Sequence, residues 1–430
     1  MRRLPIDQPR VVGVETEYGI SPDGPYIDEI GISDVPPGLI LTDMGYTSAG
    51  SRLYIDNANV EYSTPESTSL QGLLSAHFAG EQIVTHVVEK LTEGRSRAVK
   101  RSIDSRQSTR GEHENFLIGT EHPKSYVGDT LQSHLAARPV VTGPGWIKTS
   151  GNTSTYEPST YKYGVDPRAH NTGYNMRSFY KGYSKDYTSS ETGQRLEIVC
   201  GSHGMYAYPL AARVMNTSAV IRLIEHGKYP EDLIFQSPTE VVNAVSMDTT
   251  MTTAHLLRNG CRVTALQFEH DLMCKVLDLD LPVDEITLAL KTAEITGDLI
   301  DGNFESSKGH VEWLDKQRLL RTASERRGAT FPNSDDAVVD IKWHFPGSDT
   351  IVQKMKDKNM VGMMPSELTV QLAKTSPPDP TRARPRALAI LASSSDAEGT
   401  LPMTCGWNYW TQNGSNYFTY FEDPYQSVIN

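Results

Sequence analysis

The sequence has few cysteines and no excess of basic residues. Its four cysteines, Cys200, Cys261, Cys274 and Cys405, are widely spaced and form no C-x-x-C pair. This spacing argues against a disulfide framework and favours reduced, packed thiols. The formal net charge of −12 at pH 7 argues against a nonspecific nucleic-acid binder, which usually carries a basic surface. We therefore expect no nucleic-acid partner.

Long apolar runs and Gly-rich phosphate loops are also missing. No stretch reaches the roughly 18 apolar residues that a membrane span requires, and the start MRRLPIDQPR offers no apolar segment for a signal peptide. Hydrophobic residues make up 38% and charged residues 22% of the chain, which is typical of an ordinary globular protein. We therefore expect a cytoplasmic protein without a membrane partner.

The pattern of apolar residues predicts an α+β fold. RVVGVETEYGI, residues 10–20, alternates as a strand does, and SRLYIDNANVEYSTPES, residues 51–67, resumes the alternation. Helical spacing predicts helices over about 69–90, 208–227, 284–300 and 311–326. No regular strand–helix–strand rhythm appears, so a mainly antiparallel sheet is favoured.

The proline- and arginine-rich segment TSPPDPTRARPR, residues 375–386, indicates a domain boundary. We expect a large domain over residues 1–374 and a small, strand-rich C-terminal domain over residues 375–430. The aromatic cluster WNYW, residues 407–410, favours packing within that small domain over stacking on a nucleotide base. For Arg382 and Arg384, a position at a solvent-exposed junction is a simpler interpretation than contact with a nucleotide.

Acidic residues recur on the strand-like stretches. Burial of an unpaired carboxylate is costly, so acids on a concave sheet face usually bind a cation. Oxygen donors of this kind suit Mg²⁺. For each acid, the alternative interpretation is a side chain on a solvated sheet face. For His113 the alternative is a packed histidine, and for Arg195 it is a cross-strand ion pair. The candidates are Glu15, Glu17, Asp56, Glu61, Glu66 and Glu197, with His113 and Arg195 nearby in the pattern.

Taken in order, these segments resemble the Pup ligase and depupylase family, a branch of the carboxylate–amine ligases that include glutamine synthetase. The similar segments are VETEYG, SRLYIDNANVEYSTPES, GEHENFLIG, ARPVVTGPG, QRLEIVCG, ALQFEHDLMCKV, VEWLDKQRLL, VVDIKWHF, PPDPTRAR and EDPYQSV. They cover nearly the whole chain. The resemblance implies a large glutamine synthetase-like domain, in which a curved antiparallel sheet backed by helices binds ATP and Mg²⁺, and a small C-terminal domain.

The resemblance also implies a reaction and a role for each candidate residue. Ligases of the family phosphorylate a glutamate side chain with ATP and let an amine attack the acyl phosphate. Asp56 matches the base for the amine in ligases and the nucleophile or water activator in the depupylase. His113 and Arg195 match nucleotide or phosphate contacts. The residues that match the metal-binding set are Glu15, Glu17, Glu61, Glu66 and Glu197, with Tyr62 beside them.

Three departures from the family pattern bear on function. KGYSKDYTSSETGQ, residues 181–194, has no arginine where the family has an arginine-containing segment, so Lys181, Lys185 or Arg177 would have to replace it. Glu197 stands where the family has histidine after Arg-Leu. The connection after the first strand is shorter than a depupylase requires, which argues against depupylation.

The leading hypothesis is an ATP- and Mg²⁺-dependent ligase that forms an amide or isopeptide bond. The departures favour a specialised enzyme whose carboxylate donor is a small amino acid or peptide, with an amine as acceptor. The alternatives are a true Pup–protein ligase, an amide hydrolase that uses Asp56, and a noncatalytic binder of proteins or peptides. The sequence does not indicate an oligomeric state.

Overall fold

The computed structural model describes residues 4–21, 30–56, 59–103, 109–119, 124–164, 179–184, 193–394, 403–412, 419–421 and 423–428. The strands are β1 (Val12–Ser21), β2 (Arg52–Asp56), β3 (Asn59–Ser63), β4 (Arg97–Val99), β5 (Glu112–Ile118), β6 (Trp146–Ser150), β7 (Thr153–Glu157), β8 (Tyr180–Ser184), β9 (Gln194–Ile198), β10 (Ala254–Leu256), β11 (Arg262–Thr264), β12 (Met403–Cys405), β13 (Tyr409–Gln412) and β14 (Thr419–Tyr420).

The helices are α1 (Leu70–Leu91), α2 (Lys124–Ala137), α3 (Pro139–Thr142), α4 (Tyr161–Gly164), α5 (Ala207–Glu225), α6 (Pro238–Val245), α7 (Ala265–Val276), α8 (Val283–Ile300), α9 (Glu312–Arg326), α10 (Ser334–Trp343), α11 (Ile351–Lys356), α12 (Glu367–Ala373) and α13 (Ala383–Ser394). None of the helices in the described parts of the chain is long and apolar enough to cross a bilayer.

A seven-stranded sheet lies at the centre of the molecule. Its strands follow the order β2–β3–β1–β5–β9–β8, and β4 pairs with the far end of β1. Every pairing in this sheet is antiparallel. The predicted α+β class with an antiparallel sheet is confirmed.

The sheet buries one face against helices and leaves the other for polar side chains. On β1, Val12, Val14 and Tyr18 are at most 3% exposed and belong to the core. Glu15 and Glu17 alternate with them and therefore lie on the opposite face. This alternation allows a strand to enter the core and still carry two acids.

Helix α5 runs through the core behind the sheet, and every one of its residues is buried. Its charged side chains are therefore paired. Arg213 binds Glu112 of β5, and Arg222 contacts Glu285 of α8 at 2.7 Å. Such pairs lock the helix to its neighbours, because a buried charge without a partner is strongly destabilising.

The β5 strand carries two buried acids on its core-facing side. Glu112 pairs with Arg213, and Glu114 makes two bonds, of 2.7 and 3.0 Å, with the guanidinium of Arg138. His113 and Asn115 alternate with these acids along the strand and point to the other face. The register of β5 is therefore anchored from behind by ion pairs.

The C-terminal segment packs across the edge of the sheet. Helix α13 and the small sheet β12–β13–β14 share a cluster in which Ile390 and Cys405 contact Tyr46. ALAILAS, residues 387–393, was predicted as part of the strand-rich segment but lies in helix α13, whereas β12, β13 and β14 follow it as strands. Asp379 accepts hydrogen bonds from the backbone N–H groups of Thr68 and Ser69, at 2.9 and 3.0 Å, just before α1 begins.

Candidate active site

The predicted acids converge on the polar face of the sheet because of the strand register. Glu15 lies opposite His113 of β5, and Glu17 lies opposite Glu61 of β3. Glu197 of β9 lies opposite Asn115 of β5. Side chains at paired positions point to the same face. Four strands thus bring residues that are far apart in sequence to one surface.

The first cluster consists of Glu15, His113 and Glu197. Nδ1 of His113 lies 3.5 Å from Oε2 of Glu15 and 3.4 Å from Oε1 of Glu197. One donor atom from each residue lies within 4.8 Å of the other two, so the three together could hold a metal ion. Gly111 permits this arrangement, because a Cβ there would lie 2.3 Å from Nε2 of His113.

Arg195 borders the first cluster. It donates to Oε2 of Glu197 at 2.7 Å and to Oδ1 of Asn115 at 2.7 Å. Its Nη2 lies 3.8 Å from Oε1 of Glu15. The guanidinium is therefore held in a fixed orientation beside two carboxylates, which suits a group that also contacts phosphate.

The second cluster consists of Glu17, Asp56 and Glu61, whose donor atoms also lie within 4.8 Å of one another. Glu17 accepts a bond of 3.0 Å from the N–H of Gly111, and Glu61 accepts one of 2.6 Å from the hydroxyl of Tyr54. Asp56 ends β2 and is partly exposed. The cluster therefore has two acids whose carboxylates accept these hydrogen bonds and a third acid, Asp56, that is partly exposed.

Crowding of carboxylates changes their acidity. Burial, followed by the negative charge of Glu15, raises the pKa of Glu61 to about 7. Burial also raises the pKa of Glu17. A bound cation would reverse both effects by neutralising the cluster.

Two predicted metal ligands do not join these clusters. Tyr62 pairs with Thr16 on the buried face of the sheet, is 1% exposed, and lies against Gly80 of α1. The prediction of Tyr62 as a ligand is therefore wrong. Glu66 binds Arg382 and Arg386 instead of the other acids. It serves as an ion-pair partner and not as a fourth carboxylate of either cluster.

A cleft opens beside the first cluster. Its lining includes Glu15 and Arg195 of the sheet and Trp407 and Arg382 of the C-terminal segment, and most of the lining surface is apolar. The lining residues on the same face of the sheet as Glu15 include Val11, Gly13, Asn115 and Leu117, and Glu66 and Pro424 also line the cleft.

Several residues of the site were not predicted from the sequence. Trp407 lines the cleft, and Arg382 is 5% exposed rather than part of a solvated junction. Arg52 and Tyr54 lie on the same face of β2 as Asp56, and the Arg52 guanidinium lies 4.0 Å from the centre of the Tyr54 ring. The period of two in RLYID was the signal that could have identified them.

The three residues proposed to replace the missing arginine segment cannot be placed in the site, because the structure does not describe their side chains. Arg177 and Lys185 are not among the described residues, and the side chain of Lys181 is not described either. Among the described residues, Arg195 lies beside Glu15 and lines the cleft.

Comparison with known proteins identifies the family. The model of the Pup-ligase protein family matches residues 39–411. The Pup–protein ligases of Sanguibacter keddieii and Pseudarthrobacter chlorophenolicus are 24% and 25% identical, each over 97% of this chain and 97% of the relative.

Two solved structures share the fold. A complex between the prokaryotic ubiquitin-like protein Pup and its ligase PafA matches with a TM-score of 0.84 and 21% identity, over 97% of this chain and 90% of that chain. The Pup ligase PafA in complex with ADP matches with a TM-score of 0.79 and 21% identity, over 91% and 88% of the two chains. The chain therefore belongs to the Pup-ligase protein family, whose members are ATP-dependent ligases that form amide bonds.

Proposed function

We propose that the protein is a Pup–protein ligase, which uses ATP to join a side-chain carboxylate of a Pup-like protein to an amine of a target protein. The observation that carries the proposal is the pair of acid clusters on one face of the sheet, the first of which reaches the cleft through Glu15, with the partly exposed Asp56 in the second. The similarity over 97% of both chains supports a protein substrate better than the small-molecule specialisation that the sequence favoured.

The donor set fits Mg²⁺. Each cluster offers three ligand atoms within 4.8 Å, most of them carboxylate oxygens, and carboxylate oxygens are the ligands that Mg²⁺ prefers. Glu15, His113 and Glu197 would hold one ion, and Glu17 and Glu61, with Asp56 nearby, a second. Bound Mg²⁺ supplies neutralisation of charge between the phosphates and the incoming carboxylate.

We place the phosphates of ATP beside Glu15 and Arg195, which lie next to the first cluster. Trp407 also lines the cleft and offers an aromatic face on which a base can stack. The apolar part of the lining suits the base better than the phosphates. This orientation brings the γ-phosphate towards the two clusters, where the carboxylate must also bind.

The reaction proceeds in two substitutions. A carboxylate oxygen of the donor attacks the γ-phosphorus of ATP, the bond to the β-phosphate oxygen breaks, and ADP leaves. The amine nitrogen then attacks the acyl carbon of the acyl phosphate, and inorganic phosphate leaves. Asp56 accepts the proton that the amine loses, which keeps the nitrogen nucleophilic.

Incubation with ATP, Mg²⁺, a Pup protein and a lysine-containing acceptor protein tests this function. We expect ADP and a conjugate whose mass equals that of the two proteins minus one water. Release of AMP would contradict the acyl-phosphate chemistry. ADP release with glutamate-like small acids, and none with Pup, would favour the specialised ligase, whereas amide cleavage without ATP turnover would favour the hydrolase.

A pH-dependent response to Mg²⁺ follows from the pKa of Glu61. The folded protein retains a proton on Glu61 up to about pH 7, whereas the unfolded chain releases it near its ordinary pKa of about 4.3. The folded state therefore binds more protons than the unfolded state in this window, so its stability falls as the pH rises. We expect the unfolding temperature without Mg²⁺ to decrease from pH 5 to 8, and the increase caused by added Mg²⁺ to grow over the same range.

The matched variant is Glu61→Gln, which cannot titrate. Its unfolding temperature should depend less on pH, and added Mg²⁺ should raise it less at pH 8. An equal response of the wild type to Mg²⁺ at pH 5 and pH 8 would contradict a cation site that includes Glu61. Differential scanning fluorimetry measures both quantities.

A further inference from the structure

Glu66 is buried between two arginines of the C-terminal segment. Its carboxylate accepts a bond of 2.8 Å from Nε of Arg382 and further bonds from the guanidinium of Arg386. Its carbonyl oxygen accepts a bond of 2.8 Å from the hydroxyl of Thr381. One residue just after β3 thus accepts hydrogen bonds from three residues of helix α13 and the turn before it.

Arg386 connects three parts of the chain through one guanidinium. Besides Glu66, it donates to the carbonyl oxygen of Gly50 at 2.6 and 3.1 Å and to the carbonyl oxygen of Trp407 at 2.6 Å. Its guanidinium carbon also lies 4.8 Å from the centre of the Trp407 ring. The backbone and the ring of Trp407 are therefore both held by Arg386.

These contacts fix the wall of the cleft that the sheet does not supply. Arg382 and Trp407 line the cleft together with Glu66 itself. Arg382 also contacts the backbone oxygens of Phe421 and Pro424, and Pro424 lines the cleft too. Loss of the Glu66 carboxylate would leave two buried guanidinium groups without their anion, which is a costly state that the segment can escape by moving away.

We propose that Glu66 and Arg386 are positioning residues that hold the C-terminal wall of the cleft, and Trp407 in particular, in place for the nucleotide. This inference rests on the proposed function in taking the cleft as the nucleotide site. Although burial opposes its ionisation, Arg386 and then Arg382 hold the pKa of Glu66 at about 2. The pair is therefore ionised throughout the working range of pH.

The experiment compares Glu66→Gln and Arg386→Gln with Arg384→Gln. Arg384 lies two residues from Arg386 on the same helix and is exposed, so it is a matched control. We expect ADP, measured by calorimetry without Mg²⁺, to bind about tenfold more weakly to the first two variants, as expected for a lost charged hydrogen bond, and unchanged to the control. In turnover, KM for ATP should rise while KM for Pup stays constant.

A double-mutant cycle tests whether Glu66 acts through Trp407. Trp407→Ala alone should weaken ADP binding, and adding Glu66→Gln to it should weaken binding little further. Fully additive effects would overturn the proposal. A second result would also overturn the proposal: Glu66→Gln needs more Mg²⁺ for turnover, but binds ADP without Mg²⁺ as tightly as the wild type does. That result would assign Glu66 to a metal site.

Hydrogen exchange separates this inference from the proposed function. The amides of α13 should exchange faster in Glu66→Gln than in the wild type with no nucleotide present, and those of α5 should not. If the wild type binds no nucleotide, the proposed function fails, but the exchange rates still test whether Glu66 and Arg386 hold helix α13 in place. Unchanged exchange in α13 would show that they do not. Arg386→Lys, which keeps the charge but cannot reach all three partners, provides a milder variant if Glu66→Gln does not fold.

Discussion

Asp56→Asn should lower the rate of amide formation by about 10³-fold, within the range measured for lost general bases. The variant keeps the size of the side chain and removes its ability to accept a proton. The acyl phosphate should still form, because that step needs no base. Hydroxylamine, which is an unprotonated and strong nucleophile at neutral pH, should therefore trap it as a hydroxamate at a rate close to that of the wild type. Mass spectrometry measures the conjugate and the hydroxamate in the same reaction.

The control for this variant is Asp43→Asn, which removes an exposed carboxylate shortly before β2 and should change neither rate. If amide and hydroxamate formation fall together in Asp56→Asn, Asp56 acts in the activation of the carboxylate and not as the base for the amine. Binding of ADP should be the same in both variants and the wild type.

Glu15→Gln and Glu17→Gln should each reduce turnover by about 10²-fold or more, since each removes a charged cation ligand from one cluster. The fold should remain intact. Burial raises the pKa of Glu17, so the neutral glutamine is easier to bury and the unfolding temperature should stay equal or rise. The Mg²⁺ concentration required for half-maximal turnover should increase in both variants.

Glu89→Gln, an exposed position on α1, serves as the control with the same chemical change. It should not alter the Mg²⁺ requirement. A variant at Glu15 or Glu17 with full turnover at the Mg²⁺ concentration that suffices for the wild type would show that its cluster does not hold the ion.

Periodicity explains which parts of the fold were predictable. Helices α1, α5, α8 and α9 have long apolar faces or long apolar runs, and each was predicted within a few residues of its bounds. ALAILAS was misassigned because a short apolar run fits a strand as well as a buried helix. The division at residue 374 stays a prediction.

The acids of the site were predictable from the same periodicity. Glu15, Glu17 and Glu61 lie on one face because alternation places them there. Tyr62 was an avoidable error, since the residue after Glu61 on a strand must point to the opposite face. Glu66 could not be assigned from sequence, because its partner Arg386 lies 320 residues away. The roles proposed for the individual acids stay predictions until the variants are measured.

The make-up of the cleft has a consequence for the time at which the protein becomes active. Its walls combine Val12 and Glu15, which leave the ribosome early, with Trp407 and Pro424, which leave it late. A nascent chain that has already formed the sheet and both acid clusters still lacks the wall on which we place the base. We therefore expect a chain that ends before residue 407 not to bind ADP, because it lacks Trp407 and Pro424 of the cleft lining.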